Sequence, residues 1–285
     1  MLTRVDRIQV TSTDRRKTAE HWRRLLDAEL VRDDVLKGLG ARRSVLRAGT
    51  SEVEILDADG PGPVAEHVSE LGGGLFAVGF AASDLDAVRG RLDDQGIERE
   101  TEGGQLFIDG NQLGIAGLRV VLSQHREREP AGLLRHLYEA THLTPDFAGA
   151  AADLASRFAL DASHFVPIGS EQYGYTGSLT LFDPERLDRV ETVTTTTHEK
   201  TMGRFFQRRG PCLYMAYAES DHVGAIRERL LAQAPDGWTG DREAQAPDGL
   251  FIHPKALGGM LLGVSRTTFA WTWSGSPDRV QKSSA

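Results

Sequence analysis

The chain has little cysteine and no long apolar stretch. Its 285 residues include one cysteine, Cys212, which excludes an internal disulfide framework and a cysteine metal cluster. No stretch approaches the about 18 uninterrupted apolar residues that a membrane helix needs, and the first residues lack the apolar core of a signal peptide. We therefore expect a cytoplasmic protein without a membrane-spanning helix.

Basic residues are also fewer than acidic residues. The chain has 33 Lys and Arg residues against 41 Asp and Glu residues, which gives a formal net charge of −8 at pH 7. This balance argues against a nucleic-acid or membrane partner. The remaining composition, 40% hydrophobic and 26% charged, is typical of a globular protein, and the length suits one large domain or two ordinary ones.

The order of predicted elements repeats along the chain. Asp14 and Asp146, 132 residues apart, each follow an extended segment and precede an apolar helical stripe, as helix-capping residues do. A second pair, Asp84 and Asp221, is 137 residues apart. The apolar triplets after this pair share one spacing, at positions 85, 88 and 92 and at positions 223, 226 and 230. Two copies of β-α-β-β-β-α-β-β indicate an internal repeat.

The repeat also sets the expected domain boundaries. We assign residues 1–124 to a first module, 125–132 to a charged linker, 133–273 to a second module and 274–285 to a disordered tail. The alternative for the linker is an exposed loop within one domain. The first predicted helix carries an apolar stripe that extends to Leu30. The glycine-rich segment 172–177 is predicted as a hairpin loop or a mobile lid.

Three stretches resemble the vicinal oxygen chelate superfamily, which contains glyoxalase I, methylmalonyl-CoA epimerase, extradiol dioxygenases and bleomycin-resistance proteins. They are Leu75–Asp86 (LFAVGFAASDLD), Arg208–Tyr214 (RRGPCLY) and Phe251–Leu262 (FIHPKALGGMLL), and the last two are most similar to methylmalonyl-CoA epimerases. The resemblance covers nearly all of residues 4–265. It implies an α+β fold of two tandem βαβββ-type glyoxalase-like modules, with half-barrel mixed sheets that form a cup.

The resemblance also implies positions for the ligands of a divalent metal: a His on the first strand of a module, a His before its second helix and a Glu on its last strand. This sequence has at those positions Arg7, Ala77 and Val121 in the first module and Glu139, Tyr214 and Gly263 in the second. Arginine offers only donors, and Ala, Val and Gly offer no ligand. Because such a site normally takes three or four His, Cys, Asp or Glu ligands, we expect no metal cofactor. A divalent metal held by a shifted ligand set is the alternative.

Glu139 and Tyr214 are the candidate catalytic residues at these former ligand positions. A carboxyl group buried in an apolar cup has a raised pKa and can abstract a proton beside a carbonyl group. Tyr214 would then donate a hydrogen bond to the developing enolate oxygen. Arg7 is a candidate for binding a substrate carboxylate. Alternatively, Arg7 and Glu139 form an ion pair between the modules in place of the metal.

Five further residues are candidate substrate-binding groups. Glu54 and Glu191 lie near the middle-strand ligand position of the family, and the alternative is that they are edge-strand charges. His198 ends a threonine-rich run and is otherwise an exposed loop residue. His253 and Lys255 could contact an acyl or phosphate group, or could form only a tight turn.

His142, three residues after Glu139 on the same predicted strand, is expected on the opposite face of the sheet, where it would pack in the core.

These residues predict a metal-independent isomerase, epimerase or lyase. It would act by proton abstraction next to a carbonyl group of a small oxo-acid, thioester or natural product. One alternative is a non-catalytic small-molecule binding protein of the resistance type, and another is a metal-dependent dioxygenase or glyoxalase with a shifted ligand set. The expected partner is a small-molecule substrate, and the chain could be a monomer or a homodimer.

Overall fold

The computed structural model describes residues 1–282, which form sixteen strands and seven α-helices. The first module contains β1 (Leu2–Thr11), α1 (Arg15–Leu26), β2 (Glu29–Leu36), β3 (Ala41–Ala48), β4 (Ser51–Ala58), α2 (Pro63–Leu71), β5 (Gly74–Ala82), α3 (Leu85–Asp94), β6 (Glu100–Glu102), β7 (Gln105–Ile108), α4 (Gly110–Leu113) and β8 (Val120–Gln124). The second contains β9 (His136–Leu143), α5 (Phe147–Phe158), β10 (Val166–Ser170), β11 (Tyr175–Leu181), β12 (Arg189–Thr195), α6 (Thr201–Arg209), β13 (Cys212–Ser220), α7 (Val223–Gln233), β14 (Trp238–Gly240), β15 (Gly249–Ile252) and β16 (Leu261–Arg266).

The two modules form eight-stranded mixed sheets of the same topology. The strand orders are β2-β3-β4-β1-β5-β8-β7-β6 and β10-β11-β12-β9-β13-β16-β15-β14, so each strand of one sheet has a counterpart in the other. In both, the first strand of the module pairs in parallel with its fourth, β1 with β4 and β9 with β12. The predicted α+β class with two tandem glyoxalase-like modules is confirmed.

The chain also divides into two compact units that each contain parts of both modules. One unit comprises residues 1–5, 77–126 and 139–214. The other comprises residues 6–76, 127–138 and the chain from residue 215. We call them the 139–214 unit and the 6–76 unit.

Three of the four predicted aspartates cap helices through their side chains. The carboxylates of Asp14, Asp84 and Asp146 accept hydrogen bonds from backbone N–H groups three residues ahead, at 3.0, 2.9 and 2.9 Å. Asp221 differs, because α7 begins with His222 at its cap position and without a side-chain cap bond. Asp221 instead accepts a hydrogen bond from the Thr267 hydroxyl.

The end of α1 is a correction to the sequence pattern. The helix ends at Leu26, and Asp27 adopts a left-handed conformation with φ 58° that turns the chain into β2. Leu30, assigned to the helical stripe, lies in β2 and is 43% exposed. The apolar periodicity also does not predict the elements β2, β6, β10, β14, α2, α4 and α6.

The residues after the second sheet follow a defined path as far as they are described. Ser274 is buried, and the Arg266 guanidinium donates a hydrogen bond to the Gln281 carbonyl at 2.7 Å. Residues 283–285 of the predicted tail lie outside the described residues. Between residues 1 and 282, no helix is long and apolar enough to cross a membrane.

We predict that the cap of α3 stabilises the protein measurably. Asp84→Ala removes the bond to the Ala87 N–H group, and the free energy of unfolding should fall by about 1 kcal/mol. The matched control is Asp86→Ala on the same helix, because the Asp86 side chain is 87% exposed and its ion pair with Arg89 contributes little. Equal losses for the two variants in chemical denaturation would contradict the assigned cap.

Candidate active site

Arg7 lies at the centre of a buried ion network in the 6–76 unit. Its guanidinium contacts Asp6 at 3.0 Å, Glu52 at 3.0 Å and Glu54 at 2.7 Å, and the arginine is only 4% exposed. Burial raises the pKa of Asp6, but the charges of Arg7 and Arg128 outweigh it and hold that pKa below its usual value. Arg7 is thus already engaged by carboxylates of its own unit.

Glu54 is the most enclosed carboxylate of this network. It is fully buried on β4, an interior strand, so the edge-strand interpretation of this residue is wrong. Besides Arg7, its carboxylate accepts hydrogen bonds from the Gln9 amide at 2.8 Å and from the Arg43 guanidinium at 3.2 Å. Two buried arginines therefore keep Glu54 paired, as a buried carboxylate requires.

A second buried cluster occupies the equivalent strands of the second module, within the 139–214 unit. Arg189 on β12 donates to the Glu139 carboxylate on β9 at 2.6 Å, and both side chains are buried. Glu191, two residues further along β12, accepts a hydrogen bond from the Thr141 hydroxyl at 2.6 Å. Burial and the negative charge of Glu191 raise the pKa of Tyr175, whose ring lies on the same face of the sheet. Because β12 is an interior strand, Glu191 is not an edge-strand charge either.

The two clusters occupy the same register positions with the charges exchanged. Arg7 is opposite Glu52 across β1 and β4, whereas Glu139 is opposite Arg189 across β9 and β12. Two residues further along each strand, Gln9 is opposite Glu54 and Thr141 is opposite Glu191. Each module therefore has a cross-strand Arg–Glu pair followed by a glutamate that a neutral donor contacts.

The two glutamates differ in what the neighbouring strand supplies. On β3, Arg43 is opposite Leu56, two residues after Glu54. The equivalent residue on β11 is Gly177, which is opposite Val193, two residues after Glu191. The position that provides Glu54 with a guanidinium thus has no side chain in the second module.

The charge state of Glu191 follows from this arrangement. Burial and the nearby charge of Glu139 raise its pKa to about 8, although Thr141, Arg189 and Tyr175 act in the opposite direction. A carboxyl group with this pKa holds a proton at neutral pH and can release it within the physiological range. Such perturbed groups mark candidate functional sites.

Aromatic side chains line the same part of the unit. Leu143, Val193 and Met202 form a buried apolar cluster, and the side chains that pack against it are Tyr175, Phe205, Phe206 and Tyr214. The rings of Phe205 and Tyr214 meet edge to face, with their centres 5.0 Å apart. Burial raises the pKa of Tyr214, so its hydroxyl remains a proton donor. The structure therefore places Tyr214 and Tyr175 on one apolar cluster, with Tyr175 on the same face of the sheet as Glu191.

The remaining candidate residues lie elsewhere. His198 is exposed on the segment between β12 and α6. His253 and the exposed Lys255 belong to the 6–76 unit, in the turn after β15, where His253 contacts the Thr239 hydroxyl at 3.2 Å.

His142 packs in the core as expected. Its Nε2 lies 2.9 Å from the Ala116 carbonyl oxygen, and burial lowers its pKa to about 4, so the imidazole is neutral at pH 7.

The residues at the family's metal-ligand positions do not fit a divalent metal. Arg7 donates to three carboxylates, and the Glu139 carboxylate accepts the hydrogen bond of Arg189. Gly263 has no ligand, and a Cβ atom at this position would collide with the Tyr217 ring. Across residues 1–282, no group of three or more His, Cys, Asp or Glu side chains is arranged to hold a metal ion.

An open groove of about 750 Å³ is a separate feature of the 139–214 unit. Its lining comes from residues 93–112, including Phe107, Arg99 and several carboxylates, and includes none of the candidate site residues. Because it lacks a buried polar group of unusual charge state, the groove is a weaker candidate for chemistry than the Glu191 cluster.

We predict that Glu191 makes the stability of the folded protein fall as pH rises. Its pKa is raised from 4.5 to about 8 on folding, so the folded state binds more protons than the unfolded state between these values. The free energy of unfolding of the natural chain, relative to that of Glu191→Gln, should decrease from about pH 5 to about pH 8 and then level off. Chemical denaturation at a series of pH values measures this difference.

Glu199→Gln is the matched control, since Glu199 is exposed in the same unit. It should leave the pH dependence of the natural chain unchanged. A natural chain that tracks Glu191→Gln at every pH would show that Glu191 has an ordinary pKa.

The fold is shared with a known enzyme structure. The chain is similar to a mutant of 4-hydroxymandelate synthase from Streptomyces coelicolor, with a TM-score of 0.70 and 14% identity over 93% of both chains. Methylmalonyl-CoA epimerases from Streptomyces coelicolor and Mycobacterium tuberculosis align with 44% of this chain and with 100% and 90% of their own. Their identities are 20% and 19%, and their TM-scores of 0.39 and 0.38 are too low to support an argument.

No family model and no curated protein matches the sequence. At 14% identity, the likeness to the synthase establishes the fold and leaves the reaction open. The chain therefore has a two-module fold that it shares with the 4-hydroxymandelate synthase structure.

Proposed function

We propose that the chain is a metal-independent enzyme that transfers a proton next to a carbonyl group of a small molecule, in an isomerase, epimerase or lyase reaction. Glu191 is the acid–base group. The observation that carries the proposal is a buried glutamate without an arginine of its own, in a repeat whose other copy pairs the equivalent glutamate with two arginines. A general base works best when its pKa lies near the working pH, and that of Glu191 is about 8.

Each neighbour of Glu191 has a role in this chemistry. The ionised carboxylate abstracts the proton, and the carboxylic acid returns it to the same carbon or to an adjacent one. Tyr214, on the same apolar cluster as Tyr175, donates a hydrogen bond to the oxygen on which negative charge develops. The aromatic side chains exclude water, which strengthens both interactions.

Glu139, the base expected from the sequence, has a different role in the proposal. Its carboxylate is bound by the buried Arg189 guanidinium at 2.6 Å and is therefore engaged within the protein. Its negative charge instead raises the pKa of Glu191. In enzymes with two neighbouring carboxyl groups, different surroundings commonly make one the acid–base group and keep the other ionised.

Deuterium exchange tests the proposal without knowledge of the natural substrate. The full chain is incubated in deuterated water with pyruvate, phenylpyruvate or the N-acetylcysteamine thioester of propionate, and deuterium beside the carbonyl group is measured by mass spectrometry. We expect catalysed exchange with at least one probe and a loss of about a hundredfold or more in Glu191→Gln. Glu199→Gln and a strong chelator should leave the rate unchanged.

Three outcomes would contradict this function. Exchange by Glu191→Gln at the natural rate would exclude Glu191 as the base. If a chelator removes a stoichiometric metal ion from the protein and abolishes exchange, the chain is a metal enzyme with a shifted ligand set. Saturable binding of a probe without exchange would favour the non-catalytic binding protein.

A further inference from the structure

The internal repeat identifies the residue that replaces the missing arginine beside Glu191. On β3, Ala41 and Arg43 point to the same face of the sheet, opposite Ala58 and Leu56. Their counterparts on β11 are Tyr175 and Gly177, opposite Thr195 and Val193. In the second module, the tyrosine therefore stands where the first module has alanine, and the glycine stands where it has arginine.

The exchange changes what the glutamate is bonded to. In the first module, the Arg43 guanidinium reaches Glu54 from the neighbouring strand at 3.2 Å. In the second, Tyr175 lies on the equivalent strand, two residues before Gly177 and on the face of the sheet that carries Glu191. A tyrosine hydroxyl is a neutral hydrogen-bond donor, whereas the guanidinium also brings a positive charge.

We propose that Tyr175 is a positioning residue, whose hydroxyl takes the place of the arginine beside Glu191 and orients that carboxyl group for proton transfer without neutralising it. The inference deepens the proposed function and rests on Glu191 being the acid–base group. Sequence patterning assigns Tyr175 only to a glycine-rich loop or lid, whereas the structure places it at the start of β11.

The surroundings of Glu191 explain why a neutral donor suits this position. The groups that face it are Glu139 and Thr141 from β9, Arg189 from its own strand, and Tyr175 from β11. Because Arg189 is bonded to Glu139, a second arginine at β11 would hold Glu191 ionised and weaken it as a base. Without Tyr175, the ionised carboxylate would keep only the hydrogen bond from Thr141 and become harder to form.

Two substitutions at Tyr175 should shift the titration of Glu191 in opposite directions. Tyr175→Phe removes the donor, so the pH at which stability levels off should rise by about one unit, with about tenfold fewer molecules ionised below that pH. Tyr175→Arg brings a positive charge to Glu191, as Arg43 does to Glu54 from the position two residues further along its strand, and should move that pH down toward the ordinary glutamate range. The pH–rate profile of deuterium exchange should follow the same two shifts.

Tyr214→Phe is the matched control for the titration. Tyr214 packs on the same apolar cluster, but of these two tyrosines it is Tyr175 that lowers the pKa of Glu191. Its substitution should therefore leave the pH dependence of stability in place, while it slows exchange.

The outcomes separate this inference from the proposed function. Shifts of the same sign in Tyr175→Phe and Tyr175→Arg, or no shift in either, would overturn the positioning role and leave a packing role. Opposite shifts in the stability measurement support the role of Tyr175 even if no probe exchanges deuterium, in which case it is the proposed reaction that fails. If Tyr175→Phe does not fold, the direction of the Tyr175→Arg shift decides alone.

Discussion

The structure depends on how each of its two sheets stabilises the carboxylates that it buries. A carboxylate without a partner is strongly destabilised in a protein interior, and it either finds a cation or retains its proton. The first module uses the first solution, with Arg7 and Arg43 around Glu54. The second uses it for Glu139, through Arg189, and leaves Glu191 with neutral donors. This asymmetry, in a repeat that is otherwise regular, distinguishes the module with a candidate active site from the module with a structural ion network.

Much of the fold could be predicted from the sequence. The capping aspartates and the spacing of apolar residues locate the helices α1, α3 and α5, and the shared offset reveals the repeat. Elements without apolar periodicity are missed, such as β2, in which seven of eight residues are not buried. Its pairing with β3, rather than its own composition, makes it a strand.

The candidate site was only partly predictable. Family positions lead to Glu139, Tyr214 and Glu191, but they give no information about Arg189, which binds Glu139 and removes it as the preferred base. Nor do they indicate Tyr175, because its relation to Glu191 exists only through the pairing of β11 with β12. The one available signal was the aligned repeat, in which Arg43 becomes Gly177 and Ala41 becomes Tyr175. Which face a residue occupies, and what crosses the sheet to meet it, follows from strand register that composition does not encode.

Titration of the Glu191 carboxyl group by carbon-13 NMR tests the central claim most directly. Glutamate labelled at the side-chain carboxyl carbon is incorporated into the full chain, and the Glu191 resonance is assigned by its absence from Glu191→Gln. We expect this resonance to titrate near pH 8, because burial and the charge of Glu139 oppose ionisation of Glu191. A Glu191 resonance that titrates with the exposed glutamates, near their ordinary value of about 4.3, would contradict the account.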